Sequence, residues 1–460
     1  MNMRMLPGMC LLVAATAAFV ATAAPSSLWP LTSIGFIGAY ILLSFGGTAL
    51  SAQVMLAAAM LVTALYVLSG GSLDAFAQMV RQAVYLPALI TVLVPLRIVA
   101  RDSEMVREAG RFIVDQPPNR RYGLLAVGGQ VFGVLLNIGG LMLLLDVALR
   151  GPISRRGEGP AAETQVRRIT NAVLRGFCAN LFWSPVGLGL NLMLTLTPGL
   201  TWFDFAPYGL AATLIFLTIG WLFDRAEDRA PVRRVRKLGG AGAKELAGLL
   251  CILAGIIGAA ALLQFVTALP LRGAILAVIP LFAAGWHLMA PGPAGERTAS
   301  RSLHRLGDMT FQALPSAVNE IAIIASAGYL GLMIGAMVPE QTVRGFVLLA
   351  GLQGWLLACS ISLLILLTSM LGLNPIISST ISVKATLSAG LVISEPMLIL
   401  SALIGWGLGL LVSPATSTLS IACLATGRPP FTVGLRWNGF FCLSVLMVAA
   451  VGFLTLSRWQ

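Results

Sequence analysis

Charged side chains are scarce in this chain: 10% of its 460 residues are Asp, Glu, Lys or Arg, while 57% are hydrophobic. So little polar surface cannot hold a globule of this size in water, which excludes a soluble domain and points to a polytopic membrane protein. Histidine is nearly missing, with only His287 and His304, and His304 lies in an Arg-rich stretch. No two-His metal motif and no obvious Ser/His/Asp triad follows from them. The six cysteines, Cys10, Cys178, Cys251, Cys359, Cys423 and Cys442, stand singly in apolar surroundings without a CxxC pair. Neither a disulfide framework nor a structural metal site is therefore expected. A Gly-x-x-x-x-Gly-Lys-Ser/Thr phosphate loop is lacking too, so an ion gradient or another subunit has to supply the energy for any transport.

The charge that is there reports orientation. The formal net charge is +12, but the basic residues gather in short segments between apolar runs: Arg97 to Arg121, Arg150 to Arg168, Arg225 to Lys244 and Arg297 to Arg305. They form no stripe on a soluble face, so no nucleic-acid partner is expected, and they mark the cytoplasmic side of a bacterial-type inner membrane. Arg428 and Arg436 fall on that side as well, and the N-terminus is placed in the cytoplasm. Arg4, the apolar run from Met9 to Val20 and Ala21-Thr22-Ala23-Ala24 before Pro25 read either as a cleaved signal peptide or as a first span. A retained helix is favoured because inner-membrane proteins seldom need removable signals.

Apolar runs long enough to cross a bilayer occur near 7–24, 31–50, 51–69, 77–99, 206–223, 246–269, 271–290, 314–337, 344–366 and 434–456. The stretches 122–149, 170–198 and 370–427 are also apolar, but Gly, Pro, Asn, Ser and Thr punctuate them. In lipid every backbone N–H and C=O needs a partner, so a broken helix is tolerated only where protein or a water-filled cavity replaces the lost bonds. The fold class expected is all-α: a polytopic membrane protein with two inverted repeats, re-entrant hairpins and broken helices. Its segments are 1–75 (N-terminal membrane helices), 76–224 (first repeat), 225–307 (cytoplasmic loop and connecting helix pair) and 308–460 (second repeat).

The repeat shows in the spacing. Asn374 lies 237 positions after Asn137, and the same offset sets Val106-Arg107 on Val343-Arg344 and Leu136 on Leu373. Ser413 lies 229 positions after Ser184, which aligns Pro185 with Pro414, Leu190 with Leu419, Trp202 with Phe431 and Tyr208 with Trp437. The eight-residue difference is expected in the polar loop Gly151 to Thr164.

The run Ala179-Asn180-Leu181-Phe182-Trp183-Ser184-Pro185-Val186-Gly187, continuing to Asn191 and then Trp202-Phe203-Asp204-Phe205, resembles a pattern of the ion transporter superfamily. That superfamily includes arsenite permeases, sodium/proton antiporters and citrate and dicarboxylate carriers, in which an Asn precedes a Thr/Ser-Pro-x-Gly turn and another Asn. Ser413-Pro414-Ala415-Thr416-Ser417-Thr418-Leu419-Ser420, ending in Gly434-Leu435-Arg436-Trp437-Asn438, looks like the second-half version. Two departures stand out. Asn137 is followed by Ile-Gly-Gly where the arsenite and antiporter branches carry an acidic residue, and the Ser-Asn-Thr tips of the dicarboxylate branch are absent.

The resemblance implies that Asn137 and Asn374 sit at the tips of two hairpins, each beside a broken helix. Unwound carbonyls can coordinate Na⁺, and the N–H groups at a half-helix N-terminus attract an anion. The substrate- or ion-binding candidates are Asn137, Gly139, Asn180, Ser184, Pro185 and Asn191 in the first half. In the second they are Asn319, Glu320, Asn374, Pro375, Ser378, Ser379, Thr380, Ser413, Pro414, Thr416, Ser417 and Thr418. Single Ser and Thr hydroxyls in membrane helices more often bond back to their own turn or across helices. Glu320 reads equally as a protonatable carboxyl in the cavity or as an interfacial acid paired with a nearby Arg. Arg81 and Lys384 read as snorkelling or substrate-facing cations, Asp146 as an i,i+4 partner of Arg150, and Asp204 as a helix start.

The function expected is an ion-coupled secondary transporter of a small anion, organic or inorganic, working by elevator-like alternating access. It is not an enzyme and has no cofactor; Na⁺ or H⁺ is the coupling ion, and beyond a transported or coupling Na⁺ no metal is bound. The partners are a small-molecule or ion substrate and the lipid bilayer, and the resemblance implies a homodimer. Two other readings stay open: the membrane subunit of a receptor-dependent multi-component transporter, and an integral membrane enzyme acting on lipid, against which the near absence of Asp, Glu and His in the broken stretches argues.

Overall fold

The computed structural model describes residues 5–24, 28–154, 159–227, 241–267, 269–289 and 299–458. Arg4 and Pro25 of the N-terminal reading, and 155–158, 228–240 and 297–298 of the basic segments, lie outside the described residues. No strand occurs among those described. The chain runs through helices α1 (Leu6–Ala23), α2 (Leu28–Leu43), α3 (Leu50–Leu68), α4 (Leu73–Ala83), α5 (Tyr85–Asp102), α6 (Glu104–Val114), α7 (Pro118–Leu136), α8 (Ile138–Ser154), α9 (Pro160–Trp183) and α10 (Leu188–Leu196). It continues through α11 (Trp202–Ala226), α12 (Ala241–Thr267), α13 (Leu271–Met289), α14 (Ala299–Ala313), α15 (Val318–Met337), α16 (Glu340–Leu349), α17 (Trp355–Met370), α18 (Pro375–Ser388), α19 (Glu395–Val412), α20 (Ser417–Thr426) and α21 (Trp437–Ser457). Ten helical stretches among the described residues are long and apolar enough to cross a membrane.

Local chemistry explains many of the boundaries. Pro118, Pro160 and Pro375 stand at the first position of their helices, where a missing N–H costs nothing. Thr201 and Asp204 form a reciprocal capping box at the start of α11, the helix start expected of Asp204. Gly427, in the left-handed region, closes α20. One run drawn as a single span is divided. The run 344–366 breaks between α16 and α17, where Gly351 and Gly354 take φ of 65° and 52°, backbone that only glycine adopts without strain. The run 77–99 lies within one apolar span, Leu73–Asp102, in which amphipathic α4 passes into buried α5 through Val84 in helical conformation.

The chain folds into two compact units, Met1–Ser103 with Ala254–Pro339, and Glu104–Leu253 with Glu340–Gln460. In the first unit α1 packs on α2 and α5, α5 on α13, and α3 on α15. Polar ties cross these contacts. Tyr40 donates to the Leu314 carbonyl (2.8 Å), Thr63 bonds Tyr329 (2.7 Å), and Arg97 forms a two-pronged ion pair with Glu320 (2.7 and 2.9 Å).

The second unit contains two sets of helices in the same order. Shifted by 237 positions, the starts of α7 and α8 fall on the starts of α17 and α18; shifted by 229, the end of α9 and the start of α10 fall on the end of α19 and the start of α20. The eight extra residues are not a polar loop. They lengthen helices: α8 has 17 residues against 14 in α18, and α9 has 24 against 18 in α19, with one residue fewer between α8 and α9 than between α18 and α19. Pro160 starts α9 early enough to bring Glu163 into its first turn.

Within this unit α7 runs alongside α9 in the same direction, with Gly129 against the Val173 carbonyl and Gly133 against Asn180. α17 runs likewise beside α19, with Gly405 against Ser362 and Gly409 against Ser369. The pairs themselves are antiparallel: Glu163 near the start of α9 pairs with Arg428 just beyond α20, while Phe182 near the end of α9 meets Gly407 of α19. Glycines at these crossings let the backbones approach closely enough for dispersion to hold them.

Candidate functional site

Both α9 and α19 stop within an apolar stretch, unwind for four residues and resume as α10 and α20. The two breaks have the same backbone. Ser184 (φ −75°, ψ 118°) and Ser413 (φ −78°, ψ 124°) end the first halves; Gly187 (φ −70°, ψ 138°) and Thr416 (φ −89°, ψ 139°) begin the second. Their hydrogen bonds match as well. Ser184 N–H donates to Asn180 (3.1 Å), Gly187 N–H to Ser184 (3.1 Å) and Asn191 N–H to Gly187 (3.3 Å). In the second break Ser413 donates to Gly409 (2.9 Å), Thr416 to Ser413 (3.2 Å) and Ser420 to Thr416 (3.1 Å). Pro185 and Pro414, lacking an N–H, interrupt the helical ladder at the same place.

These broken stretches are among the most buried spans: 78% of the hydrophobic window of Pro160–Leu196 and 89% of that of Glu395–Thr426 are buried, against 22% for Thr432–Ser457. At the first break Ser184, Pro185 and Val186 are buried, so protein surrounds the interrupted backbone there, while at the second Pro414 and Ala415 are exposed between buried Ser413 and Thr416.

A hairpin tip stands level with each break. Asn137 joins α7 to α8 with φ 51° and ψ −132°, the one non-glycine residue among those described with positive φ. The turn is so tight that a side chain at Gly140 would strike the Phe132 carbonyl, while Gly139 faces open space. Asn374 caps α18, its Oδ1 accepting from the Ile376 N–H (3.0 Å), with Pro375 next. Each hairpin also reaches the opposite repeat: α8 packs on α20, and α18 on α10.

The two breaks differ in their side chains. In the second, the Ser413 hydroxyl donates to the Ser369 carbonyl and accepts from the Ala415 N–H (3.3 Å), and Thr416 Oγ1 caps Leu419 (3.4 Å). In the first, the Ser184 hydroxyl is fully buried without a hydrogen-bond partner among the described residues, and α10 starts without a side-chain cap. Asn180, 7% exposed, replaces Gly409 of the second repeat; its amide lies between Gly133 and Gly187 and has no side-chain hydrogen bond among the described residues. Asn191 plays a different part: its amide donates to the carbonyls of Pro185 and Gly187 (2.9 Å to the latter), holding the unwound strand open.

The other candidates fall in three places. Ser379 and Thr380 bond back to their own turn (2.6 and 2.7 Å), and Ser378 bonds Thr368 (2.8 Å). Pro414 and Ser417 are exposed beside the second break, and Thr418 is buried there. Asn319 and Glu320 belong to the first unit, where Asn319 ties the turn at Gly47 and Ala49 and Glu320 pairs with Arg97. An open groove of about 440 Å³ lies between α8 and α20, with Met142 and Leu424 on its walls and the Asp146–Arg150 pair at its rim. On the matching α18 and α10, Ser378, Thr380 and Asn191 are buried.

Sequence reading overlooked the indoles of Trp183 and Trp202 beside the first break and a buried cation farther back in α9. Trp183 Nε1 donates to Gln130 (2.7 Å), and Trp202 Nε1 to the Trp183 carbonyl (2.9 Å), capping the end of α9. Arg175, buried in α9, was legible as the one cation between Ile169 and Leu196.

The fold is that of known membrane transporters. The chain is similar to the YdaH transporter of Alcanivorax borkumensis, with a TM-score of 0.56 and 15% identity over 89% of this chain and 98% of that one. It is similar also to MtrF of Neisseria gonorrhoeae, described with a class of antimetabolite efflux pumps, with a TM-score of 0.50 and 15% identity over 79% and 81%. No protein-family profile and no curated protein matches the sequence.

Proposed function

We infer that this chain is a secondary transporter that carries a small anion, organic or inorganic, across the inner membrane, coupled to Na⁺ or H⁺. The observation that carries the reading is the pair of antiparallel broken helices, each level with a hairpin tip and all within one compact unit. Antiparallel copies with crossed hairpins are what inverted repeats produce, and interrupted helices of this kind hold solute near the bilayer midplane in secondary transporters. Solved structures of similar fold are a transporter and an efflux pump, and the motifs resemble the ion transporter superfamily.

The anion preference rests on the first break. An uncapped helix N-terminus presents N–H donors, and the unpartnered Ser184 hydroxyl and Asn180 amide add neutral hydrogen-bonding groups. Because the site is confined to the second unit, that unit is the substrate-holding body of an elevator-like cycle, entered along the open α8–α20 groove. Orientation follows from the basic segments. Arg167 with Glu227, Arg168 with Asp224 and Arg428 with Glu163 gather basic residues of three stretches at one end of this unit, which supports a common cytoplasmic side for them.

The test is a thermal-shift screen of purified protein against small anions with and without Na⁺, followed by uptake of any stabilising anion into proteoliposomes. Saturable uptake that Asn180→Ala and Ser184→Ala abolish, with melting temperatures unchanged, is the expected result. Uptake that survives both substitutions sinks the assignment.

A further inference from the structure

Trp183 is held at both its backbone and its ring, one residue before the first break. Its carbonyl accepts from Trp202 Nε1 (2.9 Å), and its own Nε1 donates to the side-chain oxygen of Gln130 on α7 (2.7 Å). An indole nitrogen only donates, so the atom that faces it has to be the oxygen of the amide. The contact therefore fixes which way the Gln130 amide points. With Oε1 turned to the indole, the two N–H groups of Nε2 point away from it. That nitrogen has no hydrogen-bond partner among the described residues and, in a half-buried side chain, is not enclosed.

The position of this amide connects it to the solute site. Gln130 precedes Asn137 by seven residues, close to two turns or about 10 Å, so both belong to one face of α7 and its tip, and both are part-exposed. α7 meets α9 next to it. An added methyl at Gly133 would strike Asn180 Nδ2 at 2.8 Å, and Gln130 and Trp183 each stand one turn from that contact. At the offsets that align the two halves, Leu367 takes the place of Gln130, Val412 that of Trp183 and Phe431 that of Trp202. The pair thus belongs to the first break, the one whose Ser184 hydroxyl and Asn180 amide have no hydrogen bond among the described residues. A tie between α7 and α9 needs one bond; this one leaves two donors open beside that break.

We propose that Gln130 binds the solute at the first break, offering N–H donors to an anion, and that Trp183 is the positioning residue that fixes this polarity. The proposal rests on the anion-carrier reading and adds a residue that selects the sign of the charge. A cation at this place would meet two N–H groups and no free oxygen of the amide.

The experiment measures binding of succinate, citrate and inorganic phosphate to the purified protein by titration calorimetry, with the melting temperature of each variant. Gln130→Glu keeps an oxygen for the indole but replaces both donors with a negative acceptor, whereas Gln130→Ala removes the bond and the donors alike. For an anion that the unaltered protein binds, affinity should fall roughly tenfold in Gln130→Ala, the usual loss for one hydrogen bond to a charged group, and further in Gln130→Glu. Melting should fall mainly in the alanine variant. A residue that only tied α7 to α9 would give the reverse order of affinities, with glutamate tolerated. Trp183→Phe should weaken binding by itself and add nothing in the Gln130→Ala protein. Anion affinity in Gln130→Glu equal to that of the unaltered protein overturns the proposal, as does the reverse order; where Ser184→Ala still abolishes binding, the carrier reading stands without it. Failure of the unaltered protein to bind any of these anions removes both.

Discussion

Ser184 and Ser413 end two helices with nearly identical backbone angles, yet only the Ser413 hydroxyl is hydrogen-bonded, to the Ser369 carbonyl. Ser413→Ala should therefore cost about 1 kcal/mol of stability, the usual value of one buried hydrogen bond, while Ser184→Ala should be neutral or slightly stabilising. Thermal unfolding in detergent separates the two. Transport should respond in the opposite order, with Ser184→Ala the more damaging.

Asn191 holds the first break open through two carbonyls; its loss strands the Pro185 carbonyl, while the Gly187 carbonyl keeps the Asn191 backbone N–H (3.3 Å). Asn191→Ala should destabilise by about 2 kcal/mol and lower uptake together with the folded fraction. Asn191→Ser, too short to bridge both carbonyls, should fall between. Equal stability of all three proteins would remove Asn191 from this role.

Asn137 combines an amide with backbone that favours glycine. Asn137→Gly relieves strain and should hold or raise the melting temperature, whereas Asn137→Ala keeps the strain and loses the amide, at about 1–3 kcal/mol relative to glycine. If the amide serves the solute, both variants lose transport. A fully active glycine variant would show that only the turn matters.

Glu320 pairs with Arg97 at two points, in a part-buried setting. Glu320→Gln leaves the cation without its partner and should destabilise by roughly 1–3 kcal/mol. The double replacement by Met should recover most of that loss, as a double-mutant cycle on melting would reveal.

Much of the architecture was legible because it rests on local chemistry. Ser-Pro pairs at 184–185 and 413–414 mark the two breaks, and Asn137 and Asn374 turn hairpins for reasons contained in a few neighbouring residues; proline alone is not the signal, since Pro95, Pro207 and Pro280 lie inside unbroken helices. The run 344–366 misled because its average apolarity hides two glycines that only a left-handed turn explains. Glu320 could not be assigned from sequence since its partner lies 223 residues away.

The amino-acid sequence by itself determined that this is a multi-span membrane protein whose helices break at two corresponding places, since span length, apolarity and missing N–H groups are properties of short segments. Only the tertiary structure decided that the second break satisfies the Ser413 hydroxyl while the first leaves the Asn180 and Ser184 side chains without a hydrogen bond among the described residues, and that Arg175 donates to Asn438. The reason is physical: whether a polar group is satisfied depends on what distant parts of the chain bring within about 3 Å, and short-range pattern carries no information about that.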